Sequence, residues 1–188
     1  MRRAVAARGS SYLRKAAPAD GREFVAAVVR HRGDLEPWVY AADSMSSYRR
    51  WVERGERPDN EQFLVCRRDD DAVVGFVNLN GISGGALRSA SLGWASFLPR
   101  QPRGHLTDGV RMVFEVAFTQ LRLHRLEANI QPGNERSRRL AVRCGFRYEG
   151  FSPRYLEIGG EWRDHERWAI LEDEWRAGRG RSDTGRPR

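Results

Sequence analysis

Between Gln62 and Leu121 the chain changes period, and that change restricts the fold more than any other feature. Gln62–Arg67 and Ala72–Leu79 are short apolar runs separated by the charged turn Asp69-Asp70-Asp71. Ala86–Leu98 follows a turn over Asn80–Gly85 that holds three glycines. Runs of this length bounded by turn residues read as strands, and their short connections make an antiparallel meander. Beyond Pro99–Arg103 the spacing becomes helical. Val110, Val113, Phe114, Ala117, Phe118 and Leu121 recur at three- and four-residue steps over Thr107–Leu121. The chain therefore builds a sheet and lays an amphipathic helix across it.

The remaining elements fit around this centre. Ser10–Ala16 reads as a first strand, and Pro18-Ala19-Asp20 opens a helix with Phe24, Val25, Val28 and Val29 on one side. Asp34–Tyr40 is a loop, and Ser44–Arg54 a second helix with a serine cap. Downstream, Leu123–Gln131 reads as a strand and Ser137–Cys144 as a helix stopped by Gly145. Two last strands, Tyr148–Ile158 and Arg163–Leu171, flank a Gly159-Gly160 turn. The order β-α-α-β-β-β-α-β-α-β-β predicts an α/β (α+β) fold, a mixed sheet flanked by helices. Its 188 residues, 40% of them hydrophobic, suit one domain. We expect that domain over residues 11–175, with a flexible N-terminus (1–10) and a disordered basic tail (176–188).

A net charge of +8 raises the question of nucleic acid. The excess is sharpest at the ends, in Arg2-Arg3 and in the arginine- and glycine-rich tail, while acidic residues are interleaved elsewhere. Nucleic-acid binding is therefore the weaker reading. The tail reads as solvated chain, with recruitment of an acidic partner such as a ribosome as the sharper alternative. No segment reaches the roughly 20 apolar residues of a membrane span, and nothing after Met1–Ser10 resembles a secretory signal. Cys66 and Cys144 stand apart from any metal-ligand spacing and read as free thiols. A cytoplasmic protein without a metal is the expectation, either monomer or homodimer.

Two segments carry chemistry. In Phe97-Leu-Pro-Arg-Gln-Pro-Arg-Gly-His-Leu-Thr-Asp108 a strand ends, a basic loop follows and a helix begins. Backbone N–H groups at such a helix start form an anion site, Gly104 admits close approach of a diphosphate, and Arg103 adds charge. In Asn134-Glu-Arg-Ser137 the Asn is a helix cap, and Ser137 one turn on is either solvent surface or a proton donor beside the end of the preceding strand. His105 reads as a surface side chain. Asp164 and His165, adjacent on a strand, point to opposite faces and cannot share one pocket. Asp164 and Trp162 read as structural residues where that strand begins, and Trp51 as core.

With these residues in view, the chain resembles the GNAT acetyltransferase superfamily. Gln101-Pro-Arg-Gly104-His-Leu106 is similar to its coenzyme-binding loop. Asn134-x-x-Ser137 and Cys144-Gly-Phe146-x-x-Glu149-Gly150 resemble the branch of ribosomal-protein N-terminal acetyltransferases (RimJ/RimL type), as do Leu123–Ala128 and Gly160–His165. The likeness spans roughly Tyr12 to Leu171. It implies a mixed, mostly antiparallel sheet with two strands, Leu92–Leu98 and Leu123–Gln131, splayed apart around the pantetheine arm of acetyl-CoA. The backbone of Ser96, Phe97 and Leu98 would hold that arm like an added strand. Amides from Gln101 through Arg103, Gly104, His105 and Leu106 to Thr107 would hold the diphosphate. Asn134 would contact the pantetheine or order the site. Ser137 matches the position that protonates the departing thiolate, worth roughly one to three decades of rate within the range for acid–base catalysis.

The implied activity is direct acetyl transfer to a primary amine, either a protein N-terminus or a small molecule such as an antibiotic. A non-catalytic acyl-CoA-binding module is a third reading. Trp38 and Tyr155 are the candidates for acceptor contact. Pro102 lacks an N–H for the phosphate loop, and Leu156 stands where some relatives carry a glutamate base, so no base is assigned.

Overall fold

A computed structural model describes residues 4–97 and 104–182. Eight strands form one sheet in the order β1-β2-β3-β4-β5-β6-β8-β7. They are β1 (Ala6–Arg8), β2 (Ser11–Lys15), β3 (Asn60–Arg67), β4 (Val73–Ser83), β5 (Ser89–Ser96), β6 (Arg125–Ile130), β7 (Arg147–Ile158) and β8 (Glu161–Leu171). All neighbours are antiparallel except β5 and β6, which run parallel. A parallel pair cannot be closed by a tight turn. Here α4 (His105–Glu115), extended by a π-helical turn over Val116–Gln120, makes the crossover.

Strand alternation feeds two cores, one on each face of the sheet. Leu13, Phe63, Val65, Val77 and Leu79 pack beneath α4 with Val110, Val113, Phe114 and Ala117, and α5 (Glu135–Cys144) joins them through Leu140 and Ala141. Their neighbours Tyr12, Leu64, Cys66 and Phe76 face the other way, toward α1 (Gly21–Arg30) and α3 (Met45–Arg54). There Phe24 contacts the rings of Tyr48, Trp51, Phe76 and Phe97 at 4.9–5.6 Å between centroids. Trp51 is thus core, as expected.

Several boundaries differ from the sequence reading. Ala6–Arg8, expected to be flexible, pair with Ser11–Leu13 as a hairpin arm. A short helix, α2 (Arg32–Leu35), occupies the start of the expected loop. The β4 strand runs on through Asn80–Ser83, where an irregular register replaces the expected turn. Residues Glu172–Ser182 form α6, so the first part of the expected disordered tail is helical; Trp175 packs against Phe118 and gives it an apolar anchor.

Candidate active site

The ladder between β5 and β6 is short. It runs from Ser89 opposite Arg125 to Leu92 opposite Ala128. Past that point β5 stays with β4 as far as Ser96 opposite Gly75, and β6 stays with β8 as far as Ile130 opposite Glu166. Each strand keeps its outer neighbour while the two part from each other. Asn129 donates to Ser91 Oγ at the fork, 3.2 Å away.

A cavity of about 420 Å³ opens beside this fork. Trp94, Ala95 and Ser96 of β5 form one wall, Gly104–Thr107 another, and Asn134, Ser137 and the arginine side of α5 a third; Leu35, Trp38 and Val39 close it from the α2 side. Alternation decides which main-chain groups face the gap. The Phe97 N–H donates to Val74 O at 2.8 Å, so its polar groups turn toward β4 and those of Trp94 and Ser96 turn toward β6. Phe97 itself is buried among aromatic rings. Its expected strand-like contact with a ligand is therefore corrected: the outward-facing positions are Trp94 and Ser96. Leu98, Gln101 and Arg103, together with Pro102, lie outside the described residues.

Gly104 caps α4 with φ of 73°, a left-handed conformation that glycine adopts without steric cost. The first intrahelical bond is Asp108 N–H to Gly104 O at 2.9 Å. The N–H groups before Asp108 have no helical acceptor, and glycine offers no side chain to cap them. Positive charge stands opposite. Arg136, Arg139 and Arg143 line the cavity at helical spacing along α5. Arg136 pairs with Asp34 at 3.4 Å, while neither Arg139 nor Arg143 has an ion-pair partner among the described residues. The acid of this helix turn, Asp108, points away toward Arg8 at 3.5 Å, and burial raises its pKa. An anion facing Gly104–Thr107 meets donors on one side and guanidinium groups on the other.

Asn134 is the N-cap of α5, its Oδ1 accepting from Ser137 N–H at 3.1 Å. Ser137 Oγ in turn accepts from Trp94 Nε1 at 3.3 Å. Asn134 is thus the helix cap that its place in the sequence suggested. Trp94 was missed, because nothing in a strand sequence says which aromatic will point at a serine more than 40 positions away.

His105 is not at the surface. Its ring is buried, with Nδ1 at 2.8 Å from Ser11 Oγ. The helix starts two residues before the expected Thr107, which swings this side chain back onto β2. Leu106 and Thr107 line the cavity.

On the α2 side of the cavity, Gln131 Nε2 donates to the carbonyls of Pro37 and Trp38 at 3.1 and 3.2 Å, fixing that loop over the end of β6. Tyr40 lies against Gly159 of the β7–β8 turn so closely that a side chain there would overlap its ring. Tyr155 is not a wall of the cavity. Its ring carries the Arg167 guanidinium 4.4 Å from its centroid and meets His165 edge-on at 6.1 Å. Asp164 accepts from Arg154 N–H at 2.7 Å, holding the irregular stretch of β7, a structural role as expected. Trp162, expected to share that role, has a side chain 61% exposed, and its backbone pairs with Glu157 in the hairpin.

The sequence profile of the Acetyltransferase (GNAT) domain matches residues 12–147. This chain belongs to the GNAT acetyltransferases. It is 36% identical over 121 residues to the probable N-acetyltransferase YjcK of Bacillus subtilis, covering 64% of this chain and 67% of that protein. It is 31% identical over 111 residues to the Escherichia coli [ribosomal protein uS5]-alanine N-acetyltransferase, covering 59% and 57%. Mycobacterium smegmatis RimJ, solved in complex with CoA-disulfide, superposes with a TM-score of 0.79 at 29% identity, covering 87% of this chain and 83% of that one. The GNAT chain is thus an acetyl-CoA-dependent N-acetyltransferase, and its fork between β5 and β6 is the splayed pair that the resemblance implied.

Neither thiol of this acetyltransferase lines the cavity. Cys66 is fully buried and Cys144 nearly so; burial pushes both thiols up, Cys144 to about 11. The thiolate is the reactive form, so neither is expected to label with a disulfide reagent at pH 8 in the native protein, whereas both label after unfolding. Titration by such a reagent with and without denaturant checks this. The sign also follows for stability. The contribution of a buried neutral thiol is full below the unfolded pKa of about 8.5 and is lost as pH rises past it toward the folded value of about 11.

Proposed function

We propose that this enzyme acetylates the α-amine of a protein N-terminus in the cytoplasm, by direct transfer from acetyl-CoA with both substrates bound, and that residues 11–175 are its catalytic unit. The parting of β5 and β6 beside a helix start is the observation that carries the donor half of this reading. The donor set fits the coenzyme. The main chain of Trp94 and Ser96 offers a strand edge to the amide-rich pantetheine arm, Gly104–Thr107 offer N–H groups to the diphosphate, and Arg139 and Arg143 offer counter-charge. The likeness to a uS5-alanine acetyltransferase supports a protein acceptor. Two cysteines without a disulfide accord with a reducing compartment. Among the described residues no helix is long and apolar enough to cross a membrane.

In this reading Asn134 holds the start of α5 and Ser137 protonates the leaving sulfur. Trp38, in the loop pinned by Gln131, flanks the acceptor route. An N-terminal amine has a pKa near 8 and is partly neutral at physiological pH, so water suffices to take its proton. The main rate gain comes from positioning the amine against the thioester and from main-chain polarisation of its carbonyl.

Thiol release from acetyl-CoA with a panel of N-terminal peptides, polyamines and aminoglycosides tests the acceptor. Turnover is expected with peptides and mass spectrometry should place the acetyl group on the α-amine; turnover with small amines alone would overturn the protein acceptor. Ser137→Ala is expected to lower kcat by about ten- to a hundredfold while the Kd for acetyl-CoA, measured by calorimetry, stays within about twofold. Full turnover in that variant would remove Ser137 from the reaction.

A further inference from the structure

We propose that Trp94 is a positioning residue, whose indole N–H fixes the Ser137 hydroxyl so that its proton points at the departing sulfur. This rests on the assignment of Ser137 as proton donor. An indole nitrogen can only donate, so the 3.3 Å contact has one polarity: Ser137 Oγ accepts. A serine hydroxyl has one proton and two lone pairs. Inside a helix such a proton commonly turns back to the carbonyl four residues earlier. For Ser137 that carbonyl belongs to Gly133, ahead of the helix, and it accepts from Glu135 N–H at 2.9 Å. The Ser137 N–H is held by Asn134. With the indole N–H on one lone pair, the hydroxyl proton is directed away from Trp94, and both residues line the cavity.

Trp94 is placed for this by the fold. It lies on β5 two residues past the last pairing with β6 and opposite Val77 of β4. Its ring packs against Phe146, 6.0 Å between centroids, which keeps the indole from turning out of the fork. The same bond assists the chemistry. An oxygen that accepts an N–H becomes a better donor through polarisation, and the N–H remains to stabilise the oxygen as its proton leaves.

The step balances. The amine nitrogen forms a bond to the carbonyl carbon, the C–S bond breaks and its electron pair leaves on sulfur. The Ser137 proton passes to that sulfur, and the proton shed by the nitrogen returns to Ser137 through solvent. Amide and free thiol are the net products.

Trp94→Phe keeps the ring against Phe146 and removes only the N–H. It is expected to lower kcat about three- to tenfold, the worth of one neutral hydrogen bond, with KM and Kd for acetyl-CoA unchanged. In a Ser137→Ala background the same substitution is expected to cost nothing further, which a packing role would not produce. An equal loss in both backgrounds, or no loss in either, overturns the proposal for Trp94 and leaves Ser137 standing. Full activity of Ser137→Ala overturns both.

Discussion

Gly104→Val is expected to raise the Kd for acetyl-CoA about tenfold or more, by removing one or two charge-assisted hydrogen bonds worth about 1.5–3 kcal/mol each. Two properties of the site make the effect separable from folding. Among the described residues a Cβ at Gly104 meets no atom within 4 Å, so it clashes with none of them in the empty protein. What it suffers is backbone strain, because φ is 73° and a β-branched residue there costs about 1–2 kcal/mol. For a chain of this size that lowers Tm by roughly 2–8 °C. Gly104→Ala shares the strain with a smaller side chain and serves as the control. Calorimetric affinity beside a melting curve for both variants checks the expectation. Unchanged affinity in Gly104→Val would take the diphosphate away from this helix start.

The largest loss of stability is expected from Asp20→Ala. Arg14 Nη1 and Asp20 Oδ2 are 2.5 Å apart, with side chains only 5% and 1% exposed, and the same oxygen accepts from Ala17 N–H at 3.0 Å. Arg14 lies next to the end of β2, opposite Leu64, and Asp20 sits where α1 begins. Truncating the acid leaves a guanidinium stranded in the core, which costs about 3–5 kcal/mol. Replacing both partners, as Arg14→Met with Asp20→Leu, should recover most of that loss, since the penalty belongs to the unpaired charge. Urea unfolding of the two variants measures it as a shift in midpoint at constant slope. A loss below about 1 kcal/mol in Asp20→Ala would show that water reaches this pair. The pair also matters to the site, because α1 leads into α2 and the Trp38 loop.

What could be read from the sequence depends on how local its cause is. The period of α4, the meander β3–β5 and the stops at Asn134 and Gly145 are set by neighbouring residues, and all of them stand in the structure. Gly104 could be singled out between a strand end and a helix start, but its left-handed φ of 73° could not, because an N-cap residue is usually extended. Arg14 was not legible as a buried residue: its partner is close in sequence, but its burial comes from α1 and α3 packing over β2. His105 moved inward because the helix began earlier than its apolar period indicates. The turn of Phe97 toward β4 follows from strand register, where a slip of one residue reverses every side chain and every main-chain group. Trp94 and Ser137 meet only because β5 and α5 flank one fork, and no spacing in the chain encodes that.

Amide hydrogen–deuterium exchange with and without acetyl-CoA tests the fork most directly. The coenzyme is expected to slow exchange at Trp94 and Ser96 and over residues 104–107, where main-chain groups face it, and to leave β1–β3 unchanged. Exchange in those two segments that is indifferent to saturating acetyl-CoA would contradict a cleft that binds through its backbone.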